Sequence, residues 1–287
     1  RVTSVGATFG ARSTIEFRGE AAQGLYTRVN AYDLVADRRL RQTIGDFKTA
    51  SRLTGSPATS YQETLTIERD REYSTTAPGA DPWYDVSLYA FDRPGSTVVP
   101  LPVDDAVAGT AVVTFEIAGE SDVPLNPDHH VRLAIDGAVV SDTRFDGVSV
   151  HAPRVELPAE RLRPDSRLTI ELPGDTGAPY DFIGYNKATV IYPRAFVARD
   201  GRLSFTAAGR VFRVTGLTSA DVSVYRFAGS GQAVRYDRVA TQRQPDGTYA
   251  ATFEGTTASA RYEVVSGAPP APAGIAPLPD GADITPS

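Results

Sequence analysis

Short runs in which apolar and polar residues alternate recur along most of the chain. Thr110–Ile117 and Arg167–Leu172 are examples: both contain β-branched residues and change character at every second position, as expected for a strand with one buried face. Asp136-Gly137 lies between two such runs and Asp246-Gly247 precedes another, and this dipeptide favours a two-residue hairpin turn. The other runs that predict strands are Val131–Ile135, Ala138–Val140, Thr189–Tyr192, Arg202–Phe205, Val211–Thr215, Val222–Phe227, Tyr249–Phe253 and Arg261–Val265.

The spacing of these runs predicts an all-β protein of more than one domain. Strands recur about every 8–12 residues with Gly, Pro and Asp between them, which is typical of β-sandwiches and jelly rolls. We expect a jelly-roll-like β-sandwich over residues 1–195 and a small Ig-like β-sandwich over residues 196–265. Residues 266–287 are rich in Pro and Ala and predict an extended linker. The best helix candidate is the short stretch Asp33–Gln42.

Composition excludes several classes of function. The chain has 287 residues and a net charge of −6, so it lacks the excess of basic residues that nucleic-acid binding requires. It contains no cysteine, hence no disulfide, thiolate metal site or thiol nucleophile. No stretch approaches the roughly 20 apolar residues of a membrane-spanning helix. The first residue is Arg1, which suggests a processed or excised piece of a secreted bacterial protein.

Three histidines, His129, His130 and His151, are the first candidates for chemistry. His129 and His130 are adjacent, so in a regular strand they point to opposite faces of the sheet and cannot bind one metal together. We therefore expect no zinc site. We expect one of the two to pack under the sheet and the other to lie in solvent.

No arrangement of residues predicts catalysis. No G-x-S-x-G motif is present, so no serine is marked as a nucleophile. The paired carboxylates Asp104 and Asp105 lie beside turn residues, where a solvated loop is a better interpretation than acid–base chemistry. We therefore expect this chain to have no enzymatic activity of its own.

Calcium is the metal that the sequence allows most readily, because hard cations bind loop oxygens. Two predicted loops concentrate carboxylates, although no segment matches an EF-hand, and the same residues also suit ordinary turns. A melting temperature raised by millimolar calcium would identify such a site. The candidate ligands are Glu120, Asp122, Asp128, Asp175 and Asp181.

The single tryptophan raises the question of a sugar-stacking surface. Trp83 lies near Tyr89 and Phe91, and exposed rings of this kind could stack on a glycan. A lone Trp at the start of a strand is more often part of a core, so we expect Trp83 to be largely buried.

Several stretches, taken in order, resemble one known family. Among them are Asp128–Asp136 (DHHVRLAID) and Asp181–Arg194 (DFIGYNKATVIYPR). The sequence is similar to the non-catalytic β region that precedes the catalytic domain of gingipain-like secreted cysteine peptidases, which belong to the caspase-like clan. The other stretches are Glu16–Leu34, Thr64–Tyr73, Asp81–Tyr84, Phe145–Gly147, Glu156–Leu162 with the stretch through Leu172, Asp175 and Thr176, Leu203–Phe205, Val214–Asp221 and Val224–Tyr225.

This resemblance implies an accessory role in a secreted or cell-surface bacterial protein. The parent would be a cysteine endopeptidase whose catalytic domain follows this chain and is its partner. The catalytic Cys and the His-Gly motif of the family lie on no residue of this chain, and Phe145 stands where relatives often carry Trp. The alternative is an extracellular module that binds glycans or a cell surface, as jelly-roll lectins do.

Overall fold

The computed structural model describes residues 2–4, 15–17, 19, 30, 32, 44–50, 53–91, 93–227, 233–268 and 274. These residues form an all-β structure, as predicted, with a single turn of 3-10 helix at Ala159–Arg161. Within these ranges, no helix is both long and apolar enough to cross a membrane. The strands are β1 (Val2–Ser4), β2 (Ile15–Phe17), β3 (Gly45–Phe47), β4 (Ser60–Glu68), β5 (Glu72–Tyr73), β6 (Trp83–Tyr84), β7 (Val86–Ala90), β8 (Gly95–Pro100), β9 (Thr110–Gly119), β10 (His129–Ile135), β11 (Ala138–Phe145), β12 (Val150–His151), β13 (Arg154–Pro158), β14 (Arg167–Leu172), β15 (Asp181–Ala195), β16 (Arg202–Ala207), β17 (Val211–Leu217), β18 (Val222–Phe227), β19 (Ala233–Tyr236), β20 (Ala240–Arg243), β21 (Tyr249–Glu254) and β22 (Ala260–Ser266).

The chain divides into two compact units, Thr59–Ala195 on its own and Arg1–Ala58 with Phe196–Ser287. The unit Thr59–Ala195 contains two antiparallel sheets, in the orders β11-β10-β14-β8 and β12-β9-β15-β4. Strand β13 also pairs with β9, and β7 pairs with β15. Apolar side chains from both sheets form one fully buried core, which makes this unit a β-sandwich.

The hairpin predicted at Asp136-Gly137 is present. It joins β10 to β11, and both turn residues have positive φ, 48° at Asp136 and 83° at Gly137. That pair of conformations defines the turn type whose twist matches the flanking strands, and glycine adopts it without strain.

The second unit is also a sandwich. Its larger sheet has the order β16-β22-β18-β19-β3 and its smaller sheet β17-β21-β20. Phe205 and Tyr262 of the larger sheet and Phe212 and Phe253 of the smaller one are all buried, and their rings contact one another across the sandwich.

Three features differ from the predicted organisation or lie beyond it. Gly45–Phe47 falls within the predicted first domain but pairs in parallel with β19 of the second unit. Strand β22 extends through Ser266, the residue at which the linker was expected to begin. The helix candidate Asp33–Gln42 and nearly all of the predicted linker lie outside the described residues. The jelly-roll and Ig-like topologies, and the domain limits, stay predictions.

Candidate functional site

His129 is the centre of a buried cluster of ionisable groups at the start of β10. The imidazole is completely buried. Its Nδ1 lies 2.6 Å from Oδ1 of Asp181, the first residue of β15. Its Nε2 lies 3.1 Å from the carbonyl oxygen of Ser121 and 3.6 Å from a carboxylate oxygen of Asp128. Because both ring nitrogens face acceptors, the arrangement suits an imidazolium that donates from both.

Both carboxylates of this cluster are also held by backbone N–H groups. Asp181 accepts a hydrogen bond from the N–H of His130 at 3.1 Å. Asp128 accepts from Gly147 at 2.8 Å and from Val123 at 3.1 Å. Burial lowers the pKa of His129, but the carboxylates of Asp181 and Asp128 outweigh that effect and the pKa lies above its ordinary value. The two carboxylates therefore favour the charged form of His129, and the cluster joins the loop around residues 121–128 to β10 and β15.

Close packing keeps the His129 ring in place. One face stacks on Phe145, with ring centroids 4.5 Å apart, and the other face of Phe145 stacks on His151 at 4.6 Å. A Cβ at Gly119 would lie 2.6 Å from Nε2 of His129 and collide with it. Since the ring has no solvent exposure, it is not placed to meet a substrate in this structure.

His130 differs from expectation, because it too is buried. Its Nδ1 lies 2.5 Å from Asp175 and its Nε2 lies 2.6 Å from Asp142. Those carboxylates pair with Arg144 and Arg132, respectively. The prediction that one of the two histidines lies in solvent was therefore wrong: carboxylates replace the water that an imidazole would otherwise need.

The five calcium candidates do not converge on one point. Asp128 and Asp181 belong to the His129 cluster, and Asp175 contacts His130. Glu120 accepts a hydrogen bond from Ser74, and Asp122 lies beside Gly147. Among the described residues, no group of three or more His, Cys, Asp or Glu side chains is arranged to hold a metal ion. Calcium binding stays a prediction.

The adjacent residues Asp104 and Asp105 lie in a loop that contacts β15. Asp105 lies 3.3 Å from Arg194, which also pairs with Glu63 at 2.9 Å. The backbone oxygen of Asp104 accepts a hydrogen bond from Tyr192. These contacts tie the loop before β9 to β15.

The aromatic residues near Trp83 form a surface that the sequence only suggested. Trp83 is half-buried rather than part of the core, and its ring meets that of the exposed Tyr73 edge-to-face at 5.2 Å. A separate group, here called the aromatic patch, surrounds Phe182 on β15. It consists of Tyr89, Phe91 and Tyr180, whose rings lie 5.0–5.2 Å from that of Phe182, and of Phe182 itself. Tyr89 is 51% exposed and Phe91 56%, so the patch faces solvent.

Sequence reasoning missed a small acidic cavity in the unit Thr59–Ala195. Its volume is about 210 Å³. Asn186 reaches it because the register of β15 against β9 shifts between Tyr185 and Lys187, which makes Asn186 the extra residue of a β-bulge. Alternation of polar and apolar residues carries no signal for one inserted residue. The lining residues are Gly79, Ala80, Asp81, Tyr84, Glu116, Ala118, Val150 and Asn186.

Comparison with known proteins gives distant structural neighbours only. Neither a protein-family model nor a curated protein sequence matches the chain. Dimeric latent PorU from Porphyromonas gingivalis aligns with 77% of this chain at 13% identity and a TM-score of 0.48, and the match spans 22% of the PorU chain. A structure of infectious bursal disease virus Gx strain aligns with 75% of this chain and 43% of its own at 9% identity and a TM-score of 0.26. An FMN-binding β-glucuronidase from Facaelibacterium prausnitzii L2-6 aligns with 72% of this chain and 34% of its own at 13% identity and a TM-score of 0.25. Scores this low assign no function, so the functional argument depends on the sequence motifs and the site geometry.

Proposed function

We propose that this chain is a non-catalytic accessory region of a secreted or cell-surface bacterial protein, and that it positions, chaperones or shields a downstream gingipain-like cysteine peptidase domain of the same polypeptide. One observation carries the proposal. Two of the motifs on which the resemblance is based, Asp128–Asp136 and Asp181–Arg194, are joined by the buried contact between His129 and Asp181. Their His and Asp side chains therefore serve the fold, which is what an accessory region requires of them.

The physical role would be docking between domains. Interfaces between domains of one chain bury about 600–1,500 Å² and are polar enough that each part is soluble alone. We propose the small sandwich around residues 196–265 as the docking surface, because it adjoins the predicted Pro-rich linker.

Deleting this chain from its parent polypeptide tests the proposal. If the region positions or chaperones the peptidase, the yield of active peptidase should fall roughly tenfold or more without residues 1–265, since each 1.4 kcal/mol of lost docking energy is a factor of ten. If the region shields the active site, activity should rise instead. The measurement is peptide cleavage per mole of purified protein. Residues 1–265 added as a separate chain should restore folding if they act as a chaperone. Equal activity with and without these residues would rule out the accessory role.

The aromatic patch favours a second function, binding of a glycan or cell surface. Exposed aromatic rings provide stacking surfaces, and a contiguous group of them on a soluble domain marks an interaction site. If the patch binds glycans, Tyr89→Ala and Phe91→Ala should each abolish binding on a glycan array. Val139→Ala, at a position 58% exposed on β11, is the matched control and should leave binding unchanged. Unchanged binding by the two aromatic variants would remove the patch from consideration.

A further inference from the structure

Asn186, which lines the acidic cavity, has a buried side-chain oxygen without a hydrogen-bond partner among the described residues. Asn186 is 3% exposed, and its Nδ2 donates to Glu116 at 2.8 Å and to Asp81 at 3.2 Å. Because ionised carboxylates only accept, these two contacts fix the orientation of the amide. The Oδ1 of Asn186 is then left buried with no hydrogen-bond donor among the described residues. Native proteins rarely leave such an atom without a donor, so a ligand or water that supplies one belongs at this place.

The charges at the cavity indicate which donor it favours. Among the described residues, one cation lies within 4.0 Å of the two lining carboxylates, the ammonium of Lys187, at 3.9 Å from both Asp81 and Glu116. Lys187 lies closer to a third carboxylate, Glu68, at 3.1 Å. Among the described residues, the two lining carboxylates share one ammonium, which lies closest to Glu68, so negative charge is in excess at the lining of the cavity. Burial lowers the pKa of Lys187, yet the neighbouring carboxylates raise it above its ordinary value, which agrees with a negative local potential.

We propose that this cavity binds the ammonium or guanidinium group of a basic side chain on a partner polypeptide. An ammonium group carries three donors and no acceptor, which complements a carboxylate oxygen of Glu116, one of Asp81 and the Oδ1 of Asn186. The apolar wall of Ala80, Ala118 and Val150 is suited to the aliphatic stem of such a side chain.

Size and chemistry disfavour two other occupants. A volume of about 210 Å³ is below the range of about 300–1,000 Å³ usual for drug-sized ligands, so the cavity fits one side chain rather than an extended ligand. A divalent metal needs several oxygen ligands around one point, and among the described residues no group of three or more His, Cys, Asp or Glu side chains is arranged to hold one.

The test is an NMR titration of the isotope-labelled 287-residue chain at constant ionic strength. The probes are Nα-acetyl-lysine methylamide, Nα-acetyl-arginine methylamide, the neutral Nα-acetyl-norleucine methylamide and methyl glucoside. We expect saturable shifts at the amides of Asp81, Glu116 and Val150 with at least one cationic probe, and none with the neutral ones. Glu116→Gln should weaken binding roughly tenfold, because it replaces a charged acceptor by a neutral one.

Matched variants separate the cavity from the rest of the surface. Glu160→Gln makes the same change at an exposed site outside the cavity and should bind as the wild type does. Val150→Phe should block the cavity, whereas Val148→Phe should not, although the two valines are equally exposed at 49% and 50%. The proposal is overturned if no cationic probe saturates, if norleucine or methyl glucoside shifts the same amides equally well, or if Glu116→Gln binds normally. None of these outcomes depends on the accessory role.

Discussion

Replacing Asp181 by alanine should destabilise the unit Thr59–Ala195 by about 3–5 kcal/mol, the usual cost of removing one partner of a buried ion pair. The variant leaves the His129 imidazole without its closest carboxylate and the N–H of His130 without its acceptor. Urea unfolding followed by tryptophan fluorescence measures the loss. The chain has one tryptophan, and because it is Trp83 the signal reports on this unit.

Asp175→Ala is the matched control, because it removes the same side chain from a carboxylate that also contacts a histidine. The side chain of Asp175 is 49% exposed and that of Asp181 is 3% exposed. Water can replace a carboxylate this exposed, and His130 keeps its contact with Asp142, so the control should lose only about 0–1 kcal/mol. Equal losses in the two variants would show that burial does not decide the strength of these contacts.

The pH dependence of unfolding gives a second view of the same ion pair. A folded-state pKa raised above the unfolded value near 6.5 means that the contribution of His129 is complete below about pH 6.5 and is lost as pH rises through the folded pKa. The wild type should therefore lose stability above pH 6.5, and Asp181→Ala should show a flatter profile. Three other groups change the stability only below this pH range. Burial lowers the pKa of His151, and contact with His130 lowers the pKa values of Asp142 and Asp175.

The alternating pattern located most strands because it reflects which face of each strand is buried. Arg167–Leu172 and Val222–Phe227 match the predicted limits, and Asp136-Gly137 forms the predicted turn. Turn chemistry and alternation are local, so one sequence suffices to recognise them. Gly45–Phe47 escaped prediction because its place depends on pairing with β19, nearly 190 residues away along the chain.

The histidine cluster and the cavity are formed by residues that lie far apart in the sequence. The alternation of apolar and polar residues is local, so it could not reveal either site. The buried His130 contacts Asp142 and Asp175, which lie 12 and 45 residues further along the chain. The cavity depends on one extra residue in β15, Asn186, and on two carboxylates, Asp81 and Glu116, that come from separate segments. The sequence indicated Asp128 and Asp181 only as candidate calcium ligands, and their contacts with His129 became visible once the strands were placed.

Replacing Phe212 by alanine should destabilise the second unit by about 3–5 kcal/mol, the usual cost of truncating a buried Phe. Its side chain is fully buried, and its ring contacts four other aromatic rings at centroid distances of 4.9–5.9 Å, those of Phe196, Phe205, Phe253 and Tyr262. Alanine would leave a cavity at the point where the two sheets of the sandwich meet. Hydrogen exchange of the amides in β16, β17 and β22 measures the loss directly.

Phe91→Ala removes the same side chain from a site that is 56% exposed in the other unit, and it should leave exchange in these strands unchanged. Because small domains are stable by only about 5–15 kcal/mol, the Phe212 variant would spend measurable time unfolded. If the second unit is the docking surface, Phe212→Ala in the parent polypeptide should also lower the yield of active peptidase, and Phe91→Ala should not. Rapid exchange in β16, β17 and β22 together with a normal yield would separate the stability of this unit from the accessory role and would place the docking surface elsewhere.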